Sequence, residues 1–253
     1  MKGRTAVVTG AGRGIGLAIA HALGAEGITV LLAARSPNEV RMEVSELRAR
    51  RIMAHAAVCD VTDEASVKAL AREAEAKLGH VDILVNNAGV SSSAPLRKLS
   101  LDEWNRVMAV NATGVFLCTR EFAPAMAERG WGRVITIAST SGLEGGRYIA
   151  HYCASKHAAV GFTRAAALEL EDRGVTVNAI CPAYVDTPMT ERTLETVGQK
   201  TGLARDAALR AVLETAGQER LIRPEEVAAE VVRLCRDDAS ETGQAIVLNG
   251  RSG

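Results

Sequence analysis

Apolar residues along this chain come in short unbroken runs rather than in strict alternation, and the runs recur from one end to the other. "TAVVT" at 5–9, "TVLLAA" at 29–34, "MAHAAV" at 53–58, "DILVN" at 82–86, "RVITIA" at 133–138, "VTVNAI" at 175–180 and "QAIVL" at 244–248 read as strands. A strand that is apolar on both sides belongs to a sheet covered on both faces. Between the runs lie Ala-, Leu-, Glu- and Arg-rich stretches of helical pattern, roughly 15–25, 38–50, 63–78, 102–129, 151–172 and 224–236. This alternation predicts an α/β fold: a doubly wound parallel sheet of seven strands, with right-handed crossovers and helices on both faces. No linker, repeat or low-complexity tract divides residues 1–253, so one domain is expected. Residues 182–223 break the rhythm with weak helical pattern of their own. They leave the carboxyl end of a strand, where ligands bind in this architecture, and connections that long are usually lids or binding loops. A substrate lid over about 184–217 is therefore expected, a decorative insertion being the alternative.

Composition narrows the classes. Hydrophobic residues at 47% and charged residues at 24% describe a soluble globular chain with ample core material. Lys+Arg and Asp+Glu number 30 each, which gives no electrostatic case for nucleic acid or membrane as partner. An aromatic content of 3% also argues against base-stacking surfaces. No uncharged apolar run reaches the roughly 18 residues of a spanning helix. The opening "MKGRTAVVTGAGRGIG" superficially resembles a signal peptide, but Arg13 interrupts the apolar run and no targeting is expected. The cysteines (Cys59, Cys118, Cys153, Cys181, Cys235) are odd in number and scattered, with no CxxC pair. They read as buried thiols in a reducing cytoplasm rather than disulfides or a zinc site, and no metal is expected.

Two patterns carry chemistry. "TGAGRGIG" at 9–16 follows the first strand and opens the first helix. Its Gly10, Gly14 and Gly16 permit a tight turn, backbone approach to a pyrophosphate, and a helix N-terminus that attracts an anion. The spacing is GxxxGxG rather than GxGxxG. At the end of the second strand, where an NAD site usually carries an acid for the ribose, "VLLAARS" has none between Val30 and Pro37; Arg35 stands there, and Arg13 approaches from the turn. Two guanidinium groups suit a 2′-phosphate, so NADP is expected, with NAD as the alternative and two solvated surface arginines as the ordinary reading. The second pattern is "HYCASKHAAVGF" at 151–162, which sets Tyr152 four residues ahead of Lys156. On a helix the two share a face. A nearby ammonium favours phenolate, which would suit a pair that trades a proton near neutral pH; taken alone, the pair reads first as a core Tyr with a snorkelling Lys, and the rest of the chain has to decide. His151 and His157 flank the pair off its face and read as structural.

Together these residues resemble the classical short-chain dehydrogenase/reductase family, and the likeness runs nearly end to end. "CDVTD" holds Asp60, which by the resemblance contacts the adenine; "NNAG" at 86–89 resembles the motif that ends the fourth strand. Asn111 in "VMAVNATGVF" matches the helix asparagine of the family's catalytic tetrad, and Ser139 lies thirteen residues before Tyr152, as in the family. The resemblance implies a Rossmann-type fold and a catalytic set of Asn111, Ser139, Tyr152 and Lys156. Tyr152 would be the acid in reduction, Ser139 a second hydrogen bond to the developing oxyanion, Lys156 a partner of the ribose hydroxyls, and Asn111 the holder of a water. It implies cofactor contacts from Gly10, Arg13, Gly14, Ile15, Gly16, Arg35, Asp60, Val61, Asn87, Ala88, Gly89, Tyr152 and Lys156, and from Pro182, Val185 and Thr187. Two departures stand out: Ala183 follows Pro182 where the family usually has Gly, and Asn249, Gly250, Arg251 replace the common Asp-Gly-Gly.

The substrate walls are expected from Ser139, Ser141, Leu143, Tyr152, Tyr184 and Met189, with further apolar contacts from Leu194 and Val197. Arg192, Lys200, Arg205 and Arg210 would meet a phosphopantetheine or coenzyme A phosphate, or else form a solvated helix face. "GWGRVITIAST", "ASKHAAVGFT" and "TPMTER" resemble the 3-oxoacyl-thioester and polyketide ketoreductases within the family. Expected is an NADP(H)-dependent ketone reductase. The alternatives are an NAD-dependent dehydrogenase of a small secondary alcohol such as 3-hydroxybutyrate, and a non-catalytic nucleotide-sensing regulator. Apolar residues on more than one side of helices 102–129 and 151–172 further imply a homotetramer.

Overall fold

A computed structural model of the chain describes residues 1–250, and places Arg251 outside the described residues. Seven strands form one parallel sheet in the order β3-β2-β1-β4-β5-β6-β7. They are β1 Thr5–Thr9, β2 Thr29–Ala34, β3 Ala54–Val58, β4 Ile83–Asn86, β5 Gly132–Ile137, β6 Val175–Pro182 and β7 Ala245–Leu248. The apolar runs are continuous because both sheet faces are covered. Ala6, Val8, Val30, Leu32, Ile83, Val85, Ile135 and Ile137 pack to one side with helices α1 (Gly14–Ala25), α2 (Pro37–Ala49) and α9 (Pro224–Leu234). Val7, Leu31, Leu84 and Val134 pack to the other with α3 (Glu64–Leu78), α5 (Gly114–Glu128) and α6 (Ala150–Leu170).

Strand order reverses between β1 and β4, which both pair with one another and lead outward in opposite directions. The crevice at such a switch point, beyond the carboxyl ends of the strands, is where a ligand fits. Side-chain caps start the helices around it: Ser36 accepts from Glu39 N at the head of α2, Asp63 from Ala65 N at α3, and Thr187 from Thr190 N at the head of the helix Pro188–Thr201.

Two expectations need correction. The stretch 102–129 is not one helix but α4 (Leu101–Met108), a π turn over Ala109–Thr113, and α5. The wider turn inserts without any break in helical backbone, so the apolar pattern runs through it; such bulges are frequent at functional sites, and this one carries Asn111. The long connection after β6 contains α7 (Pro188–Thr201) and α8 (Arg205–Thr215), which close on each other through Leu194, Ala208 and Val212. Leu194 and Val197 belong to that small core and do not line the cleft described below.

Candidate active site

A cleft of about 350 Å³ opens at the switch point. Its floor is built by bolting the glycine turn to the end of β4. The Thr9 hydroxyl accepts from the N–H groups of Asn87 and Ala88, at 3.0 and 3.1 Å, and the Asn87 amide donates to Thr9 O and Gly10 O, at 2.9 and 3.1 Å. Gly10 has φ +64°, and a Cβ there would lie 2.8 Å from Ala88 Cα, so only glycine fits. The N-cap of α1, Arg13, offers no side-chain acceptor to the first turn. Backbone N–H groups of a helix N-terminus are thus left facing the cleft lined by Gly12, Gly14 and Ile15, an arrangement suited to a phosphate. Gly16 does not line the cleft; a Cβ there would meet Asn87 Nδ2 at 2.4 Å and Gly10 O at 2.5 Å, so it serves the packing of α1 against the turn.

At the far end, Arg13, Arg35, Asp60 and Val61 line the cleft, together with Glu39, which the sequence did not single out. Glu39, in the first turn of α2, stands 3.4 Å from Arg13 Nη1. Glu39 lies two residues beyond the carboxylate-free stretch Val30–Pro37, and the helix cap brings it back beside Gly12. Both partners of the pair are well exposed, so it is a weak one. Asp60 is held below the usual carboxylate range, chiefly by the Thr62 backbone N–H, with Arg35 acting in the same direction.

Ser139, Tyr152 and Lys156 come together on the cleft wall beside Gly89, Pro182, Tyr184, Val185, Thr187 and Met189. Lys156 is 5% exposed, and its ammonium donates to Ile137 O at 2.8 Å. That is its only protein acceptor among the described residues, so two of its three hydrogens remain for a ligand. Burial pushes the Lys156 ammonium down to about 8 and the Tyr152 phenol up to about 12. A hydrogen bond with Ser139 opposes the rise at Tyr152. Lowering of the phenol by Lys156 does not occur in the chain alone: Nζ lies 5.9 Å from the ring centroid, and desolvation dominates at both groups.

Asn111 is wholly buried and off the cleft lining. It donates to Val90 O and Ser155 Oγ, at 2.9 and 3.0 Å, and accepts from Val90 N at 2.9 Å. Ser155 Oγ in turn donates to Tyr152 O at 2.8 Å. Both amide hydrogens and an oxygen lone pair are therefore taken by protein, and the side chain clamps Val90 to α6.

Other expected residues fall elsewhere. Ser141 is not in the lining; its N–H caps onto Ser139 Oγ at 3.1 Å. Leu143 packs against Ala138, Val160 and Cys181 instead of the cleft. Of the four lid cations only Arg192 lines the cleft. Arg205 is engaged bidentately by Glu191 at 2.7 and 2.8 Å, and Lys200 and Arg210 face solvent. Ala183 causes no strain: its φ is not positive, and its N–H joins Leu248 O at 2.9 Å. His157 is exposed, whereas His151 is wholly buried.

Known proteins share this sequence and shape. The family profile described as "short chain dehydrogenase" matches residues 4–217. The chain is 41% identical over 251 residues to "Granaticin polyketide synthase putative ketoacyl reductase 1" of Streptomyces violaceoruber, covering 98% of this chain and 92% of that one. It is 36% identical over 249 residues to D-beta-hydroxybutyrate dehydrogenase of Cupriavidus necator, covering 97% and 96%. A solved variant of actinorhodin polyketide ketoreductase with NADPH superposes with a TM-score of 0.93 at 39% identity, over 98% of this chain and 96% of that one.

Proposed function

The chain belongs to the short-chain dehydrogenase family and is an NAD(P)-dependent oxidoreductase acting on CH–OH groups; within that activity we propose that it reduces a ketone, a 3-oxoacyl thioester or a close relative, with NADPH. The observation that carries this reading is the wall of Ser139, Tyr152 and Lys156 at one end of a cleft whose other end meets the glycine turn. The residues present fit a dinucleotide. Gly10, Gly14 and Ile15 would receive its pyrophosphate at the head of α1, Asp60 and Val61 its adenine, and Arg13 and Arg35 a 2′-phosphate. Asn87, Ala88, Gly89, Pro182, Val185 and Thr187 would flank its nicotinamide half, and Lys156 would donate its two remaining hydrogens to ribose hydroxyls. When bound, the nicotinamide supplies the hydride.

The chain's own residues handle the proton. A phenol raised to about 12 keeps its hydrogen at neutral pH, which suits a donor to the oxygen of a ketone being reduced. Ser139, beside that phenol on the cleft wall, offers the same oxygen a second partner. The mostly charged Lys156, with Nζ 5.9 Å from the ring centroid, favours the phenolate that follows by its charge. Val90, Val110, Tyr184 and Met189 give the substrate apolar walls, with the first turn of α7 over them and α8 packed behind it. Arg192, exposed and without an ionic partner among the described residues, stands at the mouth for a phosphate or carboxylate.

Glu39 favours a second reading, NAD with a small hydroxy acid, because its carboxylate partly neutralises Arg13 and would accept from a ribose hydroxyl. The hydroxybutyrate dehydrogenase relative supports the same alternative.

A cytoplasmic homotetramer completes the proposal. Five free, buried thiols suit a reducing compartment. Val107, Val115, Phe122 and Met126 are buried within the chain, which leaves a narrower outer face than their number suggests. Phe116 at 39% and Leu168 at 74% exposure, with exposed Ala158 and Ala165 and half-buried Phe162, give α5 and α6 an apolar face for a second copy. Val247 on edge strand β7 offers another.

The test is absorbance at the reduced-nicotinamide band, with NADPH and NADH compared over 3-oxoacyl thioesters and open and cyclic ketones, and 3-hydroxybutyrate run in reverse. Turnover of a ketone with NADPH is expected. Cofactor binding without turnover of any compound would overturn the reading in favour of a nucleotide sensor.

A further inference from the structure

One cluster of chemistry-bearing side chains, exposed at Arg106 and wholly buried at His151, has no part in the chemistry above. His151, immediately before Tyr152, is 0% exposed, and its Nε2 lies 2.7 Å from Ser92 Oγ in the loop after β4. The same hydroxyl meets Glu103 Oε1 on α4. Arg106 grips Glu103 through Nε and Nη2, at 2.8 and 2.7 Å. Arg106, Glu103, Ser92 and His151 thus make an unbroken line from α4, across the loop, to the first turn of α6.

The protons along this line have only one consistent arrangement. Arg106 is the main cause that holds the Glu103 carboxyl down at about 2, so at neutral pH it is ionised and can only accept. Ser92 has a single hydrogen, which goes to Glu103. Its oxygen must then accept, so His151 is the neutral tautomer with hydrogen on Nε2. Burial lowers the imidazole's proton affinity, and Arg106 adds to this while Glu103 opposes it. Nδ1 is left as a buried lone pair with no partner, which makes a second proton unwelcome there. Reversing the line would set two lone pairs against each other at Ser92.

The loop that this line crosses is fastened at every second residue. Val90 is clamped by Asn111 at both its N–H and its C=O. Ser92 is held by His151 and Glu103, and Ala94 N donates to Tyr148 O at 2.8 Å. Tyr148 has φ +66°, a left-handed backbone unusual for a bulky residue. A spacing of two is that of one edge of an extended segment. Gly89 and Val90 are the part of this loop that lines the cleft, and a Cβ on Gly89 would lie 3.7 Å from Lys156 Nζ.

We propose that His151 is a positioning residue: through Ser92 it fixes the loop 89–94 to the head of α6, so that Val90 and the Tyr152 hydroxyl keep one mutual placement around the substrate carbonyl. This rests on the reading of the cleft as a ketone-reducing site. His151 takes no proton from the substrate; it sets the geometry in which Tyr152 gives one.

Ser92→Ala, His151→Ala and His151→Gln test this in the full chain, by amide hydrogen exchange over residues 90–94 and by steady-state kinetics with a ketone the parent reduces. In Ser92→Ala and His151→Ala, exchange should rise and kcat fall by about tenfold each, the scale of one buried hydrogen bond. KM for NADPH should stay within about twofold. Gln places an amide N–H where Nε2–H stood, so His151→Gln should recover most of both losses. The double alanine variant should be no worse than the poorer single one, since both cut the same line. Unchanged exchange at 90–94, a lowered melting temperature with unchanged kcat, or losses that multiply in the double variant would each overturn the proposal. If His151→Ala does not fold, Ser92→Ala and His151→Gln decide alone. A parent that reduces no ketone defeats the functional reading instead, and the exchange measurement then decides on the loop.

Discussion

Replacing Lys156 by Met should make the cofactor-free protein more stable while removing its activity. Burial moves the ammonium from an ordinary 10.5 down to about 8. At about 1.4 kcal/mol for each tenfold change in proton affinity, carrying that charge into the folded chain costs about 3 kcal/mol. Met keeps the apolar stem and removes the charge. The Ile137 carbonyl loses its 2.8 Å partner, a cost of about 1 kcal/mol. A net gain of about 2 kcal/mol near neutral pH follows, or about 4–8 °C in melting temperature for a chain of this size. The pH dependence has a definite sign. Because the folded value lies below the unfolded one, the unfolded parent binds more protons between about 8 and 10.5, and the parent's stability rises with pH across that window. The Met variant has no such gain, so its advantage is full below pH 8 and fades toward 10.5. Thermal unfolding followed by circular dichroism, without nucleotide, at about pH 7 and about pH 9.5 reads both effects. A variant no more stable than the parent at the lower pH would refute the reasoning, and so would an advantage of the same size at both.

Tyr152→Phe should lower kcat by about a thousandfold, the range of a lost proton donor, with NADPH affinity nearly unchanged by fluorescence titration; activity within about tenfold of the parent would remove Tyr152 from its role. Arg35→Asp should move the ratio of kcat/KM for NADPH over NADH toward NADH, and Glu39→Gln should move it toward NADPH by releasing Arg13. A ratio that both substitutions leave in place would show that neither side chain meets the adenosine end. Light scattering at micromolar concentration should give about four times the mass of one chain; Phe116→Glu with Leu168→Glu should lower it, and a fully active monomeric parent would dismiss the interface on α5 and α6.

What the sequence determined by itself is what neighbours along the chain determine. Continuous apolar runs marked strands buried on both faces, and their alternation with helical pattern was enough for the parallel sheet. The glycine turn was legible because its constraints are local: Gly10 must take a left-handed φ within a few residues of the strand it leaves. The Tyr152–Lys156 pair was legible because helical spacing puts them on one face. The π turn at 109–113 was not, since an inserted residue leaves apolar periodicity nearly intact while turning Asn111 toward Val90. Nor was the meeting of Glu39 with Arg13, or of His151 with Ser92 and Glu103, each between residues far apart in the chain. Leu143, Leu194 and Val197 looked like substrate walls because an apolar residue reads alike in a cleft and in a core; only packing against Cys181 or Ala208 separates the two. The proton affinities of Tyr152 and Lys156 depended most on the tertiary structure. Spacing promised a charge effect between the two, but burial, a property of the whole enclosure rather than of any pair, sets the direction at both groups.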